Sequence, residues 1–238
     1  CGGTSGTIKY SGFDIALNEG DFWTYYWSTS TTSGSQSGSS TSTDSGSYTV
    51  TLGEMESVNG FDAFPLIMEG KATSMAPKYT YLAIKDHCIF GSKNGVTFEV
   101  VFDAKSSKWQ GSGFFTDFTA SDVSSSSGRA SNAFVNTTAV SLKRSQNQDA
   151  CTYYPGAGTI CSDDESYTIS ENEYYKPGIG PLGYTYSFYY SDSGGGWTTW
   201  RTESRELGLV STTLQAADGF NPKYPAWVEK TPKYTILK

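Results

Sequence analysis

The sequence contains one histidine, His87, so no site within a single chain can be built from several histidines. Basic residues are also few. Against 24 Asp and Glu there are 17 Lys and Arg, for a formal net charge of −7. That balance argues against recognition of nucleic acid or an anionic bilayer through a basic surface. No run approaches the roughly 18 consecutive apolar residues of a membrane-spanning helix. The four cysteines include no Cys-x-x-Cys pair, which removes the usual support for dithiol redox chemistry. A serine triad lacks support as well. His87 lies in Lys85-Asp86-His87-Cys88, and no Gly-x-Ser-x-Gly elbow stands in a strand–turn–helix context. On a strand, His87 and Cys88 would face opposite sides, a poor arrangement for a dyad.

What the chain has instead is aromatic residues, 15% of the total against 17% charged. That is enough to fill a core and argues against wholesale disorder. The aromatics fall in strand-like runs. Asp21-Phe22-Trp23-Thr24-Tyr25-Tyr26-Trp27 is rich in strand formers, and Tyr48-Thr49-Val50-Thr51-Leu52 alternates in polarity. Asn59-Gly60 and Asn94-Gly95 sit between apolar runs and suit type I′ turns, which need positive φ at both central residues. The first predicts a hairpin joining about 48–58 to 61–68, the second one joining about 79–91 to 96–103. A third is predicted between Tyr184–Tyr190 and Trp197–Trp200, and a further strand over Leu207–Leu214. The Ala and Asn cluster near 128–140 allows a short helix. The expected fold is therefore all-β with few or no helices: an antiparallel meander forming a curved sheet, half-barrel or sandwich. Residues 13–238 read as a single β-rich domain, preceded by a tether over 1–12.

One segment breaks the pattern. Of the 20 residues 28–47, 15 are Ser or Thr and three are Gly. Alone, such a run cannot bury enough apolar surface to offset the entropy of ordering it. It reads as a disordered insert between two strands, or as Ser/Thr-rich strands held by a neighbour. Self-association through this arm or through sheet edges follows as an expectation.

The chain opens Cys1-Gly2-Gly3-Thr4-Ser5-Gly6, which resembles the mature end of a bacterial lipoprotein. The resemblance implies acyl chains on Cys1, an exported location at the outer membrane or cell surface, and the membrane as a partner. Cys151 and Cys161 flank Thr-Tyr-Tyr-Pro-Gly-Ala-Gly-Thr-Ile, whose central turn residues let the ends meet in a disulfide. A Cys1–Cys88 bond competes with lipidation. Otherwise Cys88, in Cys88-Ile89-Phe90, reads as a buried small hydrophobe.

Candidate chemistry is sparse. Glu171 and Glu173 share a strand face, as a carboxylate pair for glycoside hydrolysis would. The string Glu173-Tyr174-Tyr175 is similar to one in a family of β-jelly-roll xylanases, but the remainder of that pattern is missing. A solvated acidic face is the simpler reading. Trp197 and Trp200, three apart, would lie on opposite faces, with at least one in the core and the other available to a glycan. Trp23 and Trp27 share a face and read as core. Ser162-Asp163-Asp164-Glu165, Asp192 and Asp218 lack the spacing of a calcium loop. Asn136-Thr137-Thr138 matches a glycosylation acceptor. No cofactor or metal is called for.

Two longer segments carry a second resemblance. Ala16-Leu17-Asn18-Glu19-Gly20-Asp21-Phe22-Trp23-Thr24-Tyr25 resembles the Leu-x-x-Gly-x-x-Trp-x-Tyr opening of many uncharacterised exported bacterial lipoproteins. Tyr175-Lys176-Pro177-Gly178-Ile179-Gly180 resembles their later Tyr-x-x-Gly-Ile/Val-Gly segment, and Leu209-Val210-Ser211 their closing string. The resemblance implies an exported, curved antiparallel sheet and supplies no activity. Gly178, Gly180 and Gly183 would permit tight backbone there. The function expected is that of a non-enzymatic, lipid-anchored structural or binding protein. The alternatives are a fibre subunit joined by strand addition and a carrier of lipid or glycan.

Overall fold

The computed structural model describes residues 15–71, 73–86, 88–104, 113–115, 124–131, 134, 136–154, 158–193, 197–216 and 218–223. For 124–131, 138, 142, 144, 146–154 and 158–165 it describes the backbone alone. These residues form strands β1 (Phe22–Ser35), β2 (Gly38–Leu52), β3 (Glu56–Val58), β4 (Phe61–Gly70), β5 (Tyr81–Lys85) and β6 (Cys88–Ser92). There follow β7 (Glu99–Asp103), β8 (Ser124–Ser131), β9 (Asn136–Tyr154), β10 (Gly158–Lys176), β11 (Gly180–Asp192) and β12 (Thr199–Thr212). Among the described residues there is no helix. The Ala/Asn cluster near 128–140 instead ends β8 and begins β9.

All pairings are antiparallel, and the order is β7-β6-β5-β4-β2-β1-β12-β11-β10-β9-β8, with β3 beside β4. The path has two ends, so the sheet is open rather than a closed barrel. It nevertheless curls: the Phe102 ring on β7 stacks on Tyr175 of β10 at 4.8 Å between centroids. The β4–β7 end is thereby folded over one half of the strands β2, β1, β12, β11, β10 and β9.

Those six strands make a blade. The hairpins β1–β2, β9–β10 and β11–β12 all turn at the same end, as their registers require: Ser35 pairs with Gly38 and Thr199, and Asp192 pairs with Thr199 and Glu165. In the covered, proximal half, alternate residues point into one core containing Trp23, Tyr25, Trp27, Tyr48, Val50, Leu52, Leu182, Tyr184, Leu207 and Leu209. Leu82, Ile89, Val101 and Phe102 close it from the folded-over end. In the distal half this apolar alternation stops. From Trp27 to Ser35, about 27 Å at strand rise, β1 continues with only Ser, Thr and Gly.

The Ser/Thr-rich insert is therefore not a disordered loop. Residues 28–47 form the outer halves of β1 and β2 and the tight turn between them, every β1 residue pairing with both β2 and β12. Backbone pairing, on two sides for the β1 half and on one side for the β2 half, supplies the order that side chains of this type cannot.

Other expectations need revision. Asn59-Gly60 makes a two-residue turn with φ of +48° and +82°, between paired Val58 and Phe61. The segment expected to run unbroken over 48–58 is interrupted after Leu52, and β2 and β3 both pair with β4. The segment expected over 79–91 reverses at Asp86, whose φ is +56°, giving the separate strands β5 and β6. Asn94-Gly95 lies in the longer β6–β7 connection, where only Gly95 has positive φ and the Asn94 carboxamide oxygen accepts from Val96 and Thr97 N–H. Trp200 and Leu207, read as parts of separate strands, both belong to β12. Trp197 precedes that strand and is 65% exposed, and Trp200 is half-buried, so neither is core. Trp23 and Trp27 are both buried in it.

Candidate functional site

The two segments that carry the lipoprotein resemblance meet in space. Trp23 Nε1 donates to the Ile179 carbonyl (2.8 Å), and the Tyr25 hydroxyl donates to the Pro181 carbonyl (2.8 Å). The turn they hold, between β10 and β11, has Gly178 at φ +80° and Gly180 at +89°. Gly183 follows where a Cβ would lie 2.4 Å from the Leu207 carbonyl oxygen. Bulges between Thr24 and Tyr25 and between Tyr174 and Tyr175 aim these side chains inward. The Trp-x-Tyr and Gly-Ile-Gly strings thus form one joint between strand and turn.

Directly beside that joint is the carboxylate pair, and it is not a solvated face. Glu173 is fully buried and Glu171 nearly so. Glu173 Oε1 accepts from Phe115 N–H (2.9 Å), and its Oε2 accepts from Phe114 N–H (2.9 Å) and the Tyr175 hydroxyl (2.8 Å). Phe114 N–H is shared with the Tyr175 oxygen at 3.1 Å. Glu171 Oε1 accepts from the Tyr184 hydroxyl at 2.9 Å. Burying a carboxylate is tolerated only when its lone pairs are met in this way. The result clamps the backbone at Phe114-Phe115 into the core, where Phe115 packs edge-on against Tyr25 at 5.3 Å.

The phenols around the pair are held neutral. Burial, and then the negative charge of Glu173, push Tyr25 and Tyr175 well above the ordinary tyrosine range. Tyr48 is raised by burial, then by Tyr25 and Glu173. Tyr184 is raised by burial, then by Glu171. A proton that stays on the phenol keeps each donor facing its acceptor, so the network positions backbone. One residue further along β10, buried Lys176 donates to Thr137 Oγ1 (2.9 Å) and Asp218 Oδ2 (2.7 Å) and lies 5.1 Å from the Phe220 ring. The hydrogen bond from Lys176 draws the Asp218 carboxyl below the ordinary carboxylate range. Sequence reading missed this cluster, although the alternation Glu171-x-Glu173-x-Tyr175 was its visible trace.

The distal blade is an accessible surface. On one face Tyr186, Phe188 and Tyr190 of β11 pair in register with Arg205, Glu203 and Arg201 of β12. The Arg205 guanidinium lies 4.6 Å from the Tyr186 ring centroid and is ion-paired with Glu203, which Arg201 also reaches at 3.4 Å. On the opposite side Trp200 rests on Gly34, where a Cβ would come within 2.5 Å of the indole. Between blade and core sits Lys71. Its stem crosses Gly46, its ammonium lies 4.9 Å from the Trp27 ring, and it bonds Asp44 (2.5 Å) and the Ser45 carbonyl (3.1 Å).

The remaining expected sites are placed unevenly. Cys1 and His87 lie outside the described residues. Cys151 and Cys161 stand directly opposite each other in the β9–β10 register, near the hairpin tip, with their side chains outside the description. Cys88 is buried and disulfide-bonded rather than a simple buried thiol. The side chains of 162–165 are also outside the described set. Among the described residues no group of three His, Cys, Asp or Glu side chains could hold a metal ion. No protein-family model and no curated protein matches the chain.

Proposed function

We propose that this chain is a non-enzymatic, exported protein of the cell envelope or surface that works by contact, with the distal blade as its contact surface. The observation that carries this reading is the division of polar chemistry. The carboxylate pair that the sequence offered for glycoside hydrolysis is buried and hydrogen-bonded to the protein's own backbone and phenols. The groups that reach solvent are the stacked Tyr, Arg and Trp side chains of the blade, suited to a glycan or an extended peptide. The disulfide at Cys88 supports an oxidising, exported location. Incubation with envelope and plant polysaccharides is expected to release no reducing sugar. Release that disappears in Glu171→Gln would overturn the reading.

A second reading, a subunit that assembles by strand addition, has its own observation. β4 pairs with β2 only over Tyr48–Leu52, leaving the outer side of Gly38–Ser47 without a strand neighbour among the described residues. Lys71 reaches the outward carbonyls of Ser47 and Ser45. By the two-residue repeat, Thr43, Thr41 and Ser39 also aim N–H and C=O outward, with no Pro or bulge to guard them. Among the described residues Lys71 is the guard of this edge. Lys71→Ala is expected to shift sedimentation toward larger species at high protein concentration. Monomer alone for both proteins would contradict strand addition.

A further inference from the structure

We propose that one face of the distal blade binds an acidic glycan, with the apolar side of a sugar ring on Phe188 and Tyr190 and its carboxylate on Arg201. The assignment rests on the contact reading above and narrows it to one ligand class. By strand alternation Ser33, Phe188, Tyr190 and Arg201 point to the same side as the core residues Trp27, Tyr184 and Leu207. There they line an open cavity of about 400 Å³. The stripe that is buried further in thus continues outward as a surface. Tyr186, Phe188 and Tyr190 are each partly exposed, at intervals of two residues or about 6.7 Å. Tyr167 of β10 widens this platform, its ring centroid 6.4 Å from that of Phe188.

Charge selects the ligand. Glu203 is one carboxylate between two guanidiniums: Arg205 is ion-paired with its Oε1, and Arg201 reaches its Oε2 at 3.4 Å. Arg205 is further committed to the Tyr186 ring at 4.6 Å and to Ser74 Oγ at 3.4 Å. Arg201 makes no other side-chain hydrogen bond or ion pair among the described residues, and its side chain is 53% exposed at the cavity. A guanidinium has five N–H donors and stays charged at any working pH, so most of the Arg201 donors are left for an incoming carboxylate. Across Arg201, Glu203 and Arg205 one positive charge is in excess, in a chain whose formal net charge is −7. Asp192, the next acidic side chain along the row, stands one alternation nearer the tip, opposite Thr199.

Position on the sheet selects a sugar over a peptide. In this stretch β1 is paired with β2 and β12, and β11 with β10 and β12. The backbone N–H and C=O groups beneath the platform are therefore spent in the ladders. An extended peptide laid across it would find no strand edge to join. A pyranose ring needs no such edge. Its C–H face covers aromatic carbon and removes both from water, while its hydroxyls exchange hydrogen bonds with Ser33 Oγ and the Tyr190 phenol. A uronic acid adds the one group that a neutral sugar lacks, a carboxylate for Arg201.

Titration calorimetry of the full chain at low salt tests the site with three probes: a tetramer of galacturonic acid, a tetramer of glucose, and tetraglutamate. The galacturonate is expected to bind about tenfold or more tightly than either of the others. Arg201→Gln should weaken galacturonate by about tenfold to a hundredfold, the loss of a charged hydrogen-bonded pair, and leave the glucose tetramer unchanged. Phe188→Ala should weaken both sugars. Arg201 is exposed, so Arg201→Gln should unfold at the parent's midpoint, and it decides the matter even where Phe188→Ala folds poorly. The proposal is overturned if Arg201→Gln binds galacturonate as the parent does, if both sugars bind alike, if tetraglutamate alone binds, or if none of the three binds. The contact reading fails on a different result, Glu171-dependent release of reducing sugar, so the two failures are distinguishable.

Discussion

The inner and outer halves of β1 and β2 share one backbone register and nothing else. In the inner half, Trp23, Tyr25 and Trp27 face Val50, Tyr48 and Gly46 and are buried in the main core. In the outer half, Thr29, Thr31 and Ser33 face Asp44, Ser42 and Ser40, and β2 is exposed along almost all of that length. The inner half is held by apolar burial, the outer half by pairing with its neighbours and by small cross-strand contacts such as Thr32 Oγ1 to Thr41 Oγ1 at 2.9 Å. Strand pairing can thus extend well past the residues that drive folding, on both sides of β1 and on one side of β2. Stability is concentrated where nothing is accessible, and accessible surface is concentrated where little stability is at stake.

A graded series of substitutions would break this division if it is wrong. Trp23→Ala should have the largest effect, about 3–5 kcal/mol in denaturant unfolding, since it empties a buried indole site and leaves the Ile179 carbonyl without its donor. Glu173→Gln should follow at about 2–3 kcal/mol, because an amide replaces the charged acceptor of two backbone N–H groups and a phenol. Ser33→Ala, at an exposed site on the same strand as Trp23, should stay within about 0.5 kcal/mol of zero. A loss at Ser33 comparable to that at Glu173 would mean that the blade is part of the cooperative core.

Much of the architecture was legible in the sequence. Alternation and aromatic runs marked the inner strands, and Asn59-Gly60 marked its turn because positive φ at two successive residues is a local demand. Asn94-Gly95 also marked a hairpin, β6–β7, but not a two-residue turn: the Asn94 side chain accepts from Val96 and Thr97 N–H and caps a longer loop. The outer blade was legible only as one of two readings, because one of the strands that order it, β12, is distant in sequence and Ser/Thr composition carries no sign of that. Glu171 and Glu173 looked solvated because the cost of burying a carboxylate is the default expectation. The donors that offset it at Glu173, Phe114 and Phe115 N–H, are backbone groups 59 and 58 residues away. Backbone donors leave no trace in a side-chain pattern. The fold class was therefore readable from local periodicity, while the site depended on long-range pairing.

Hydrogen exchange resolved along β1 and β2 tests the two-part blade most directly. Amides of Trp23–Trp27 and Tyr48–Leu52 should exchange only through global unfolding. Those of Ser30–Ser35 and Gly38–Thr43, hydrogen-bonded in the same strands, should open locally and exchange on the order of a hundredfold faster or more. Equal protection along the full length of both strands would contradict the account, making the outer blade part of one cooperative unit with the core.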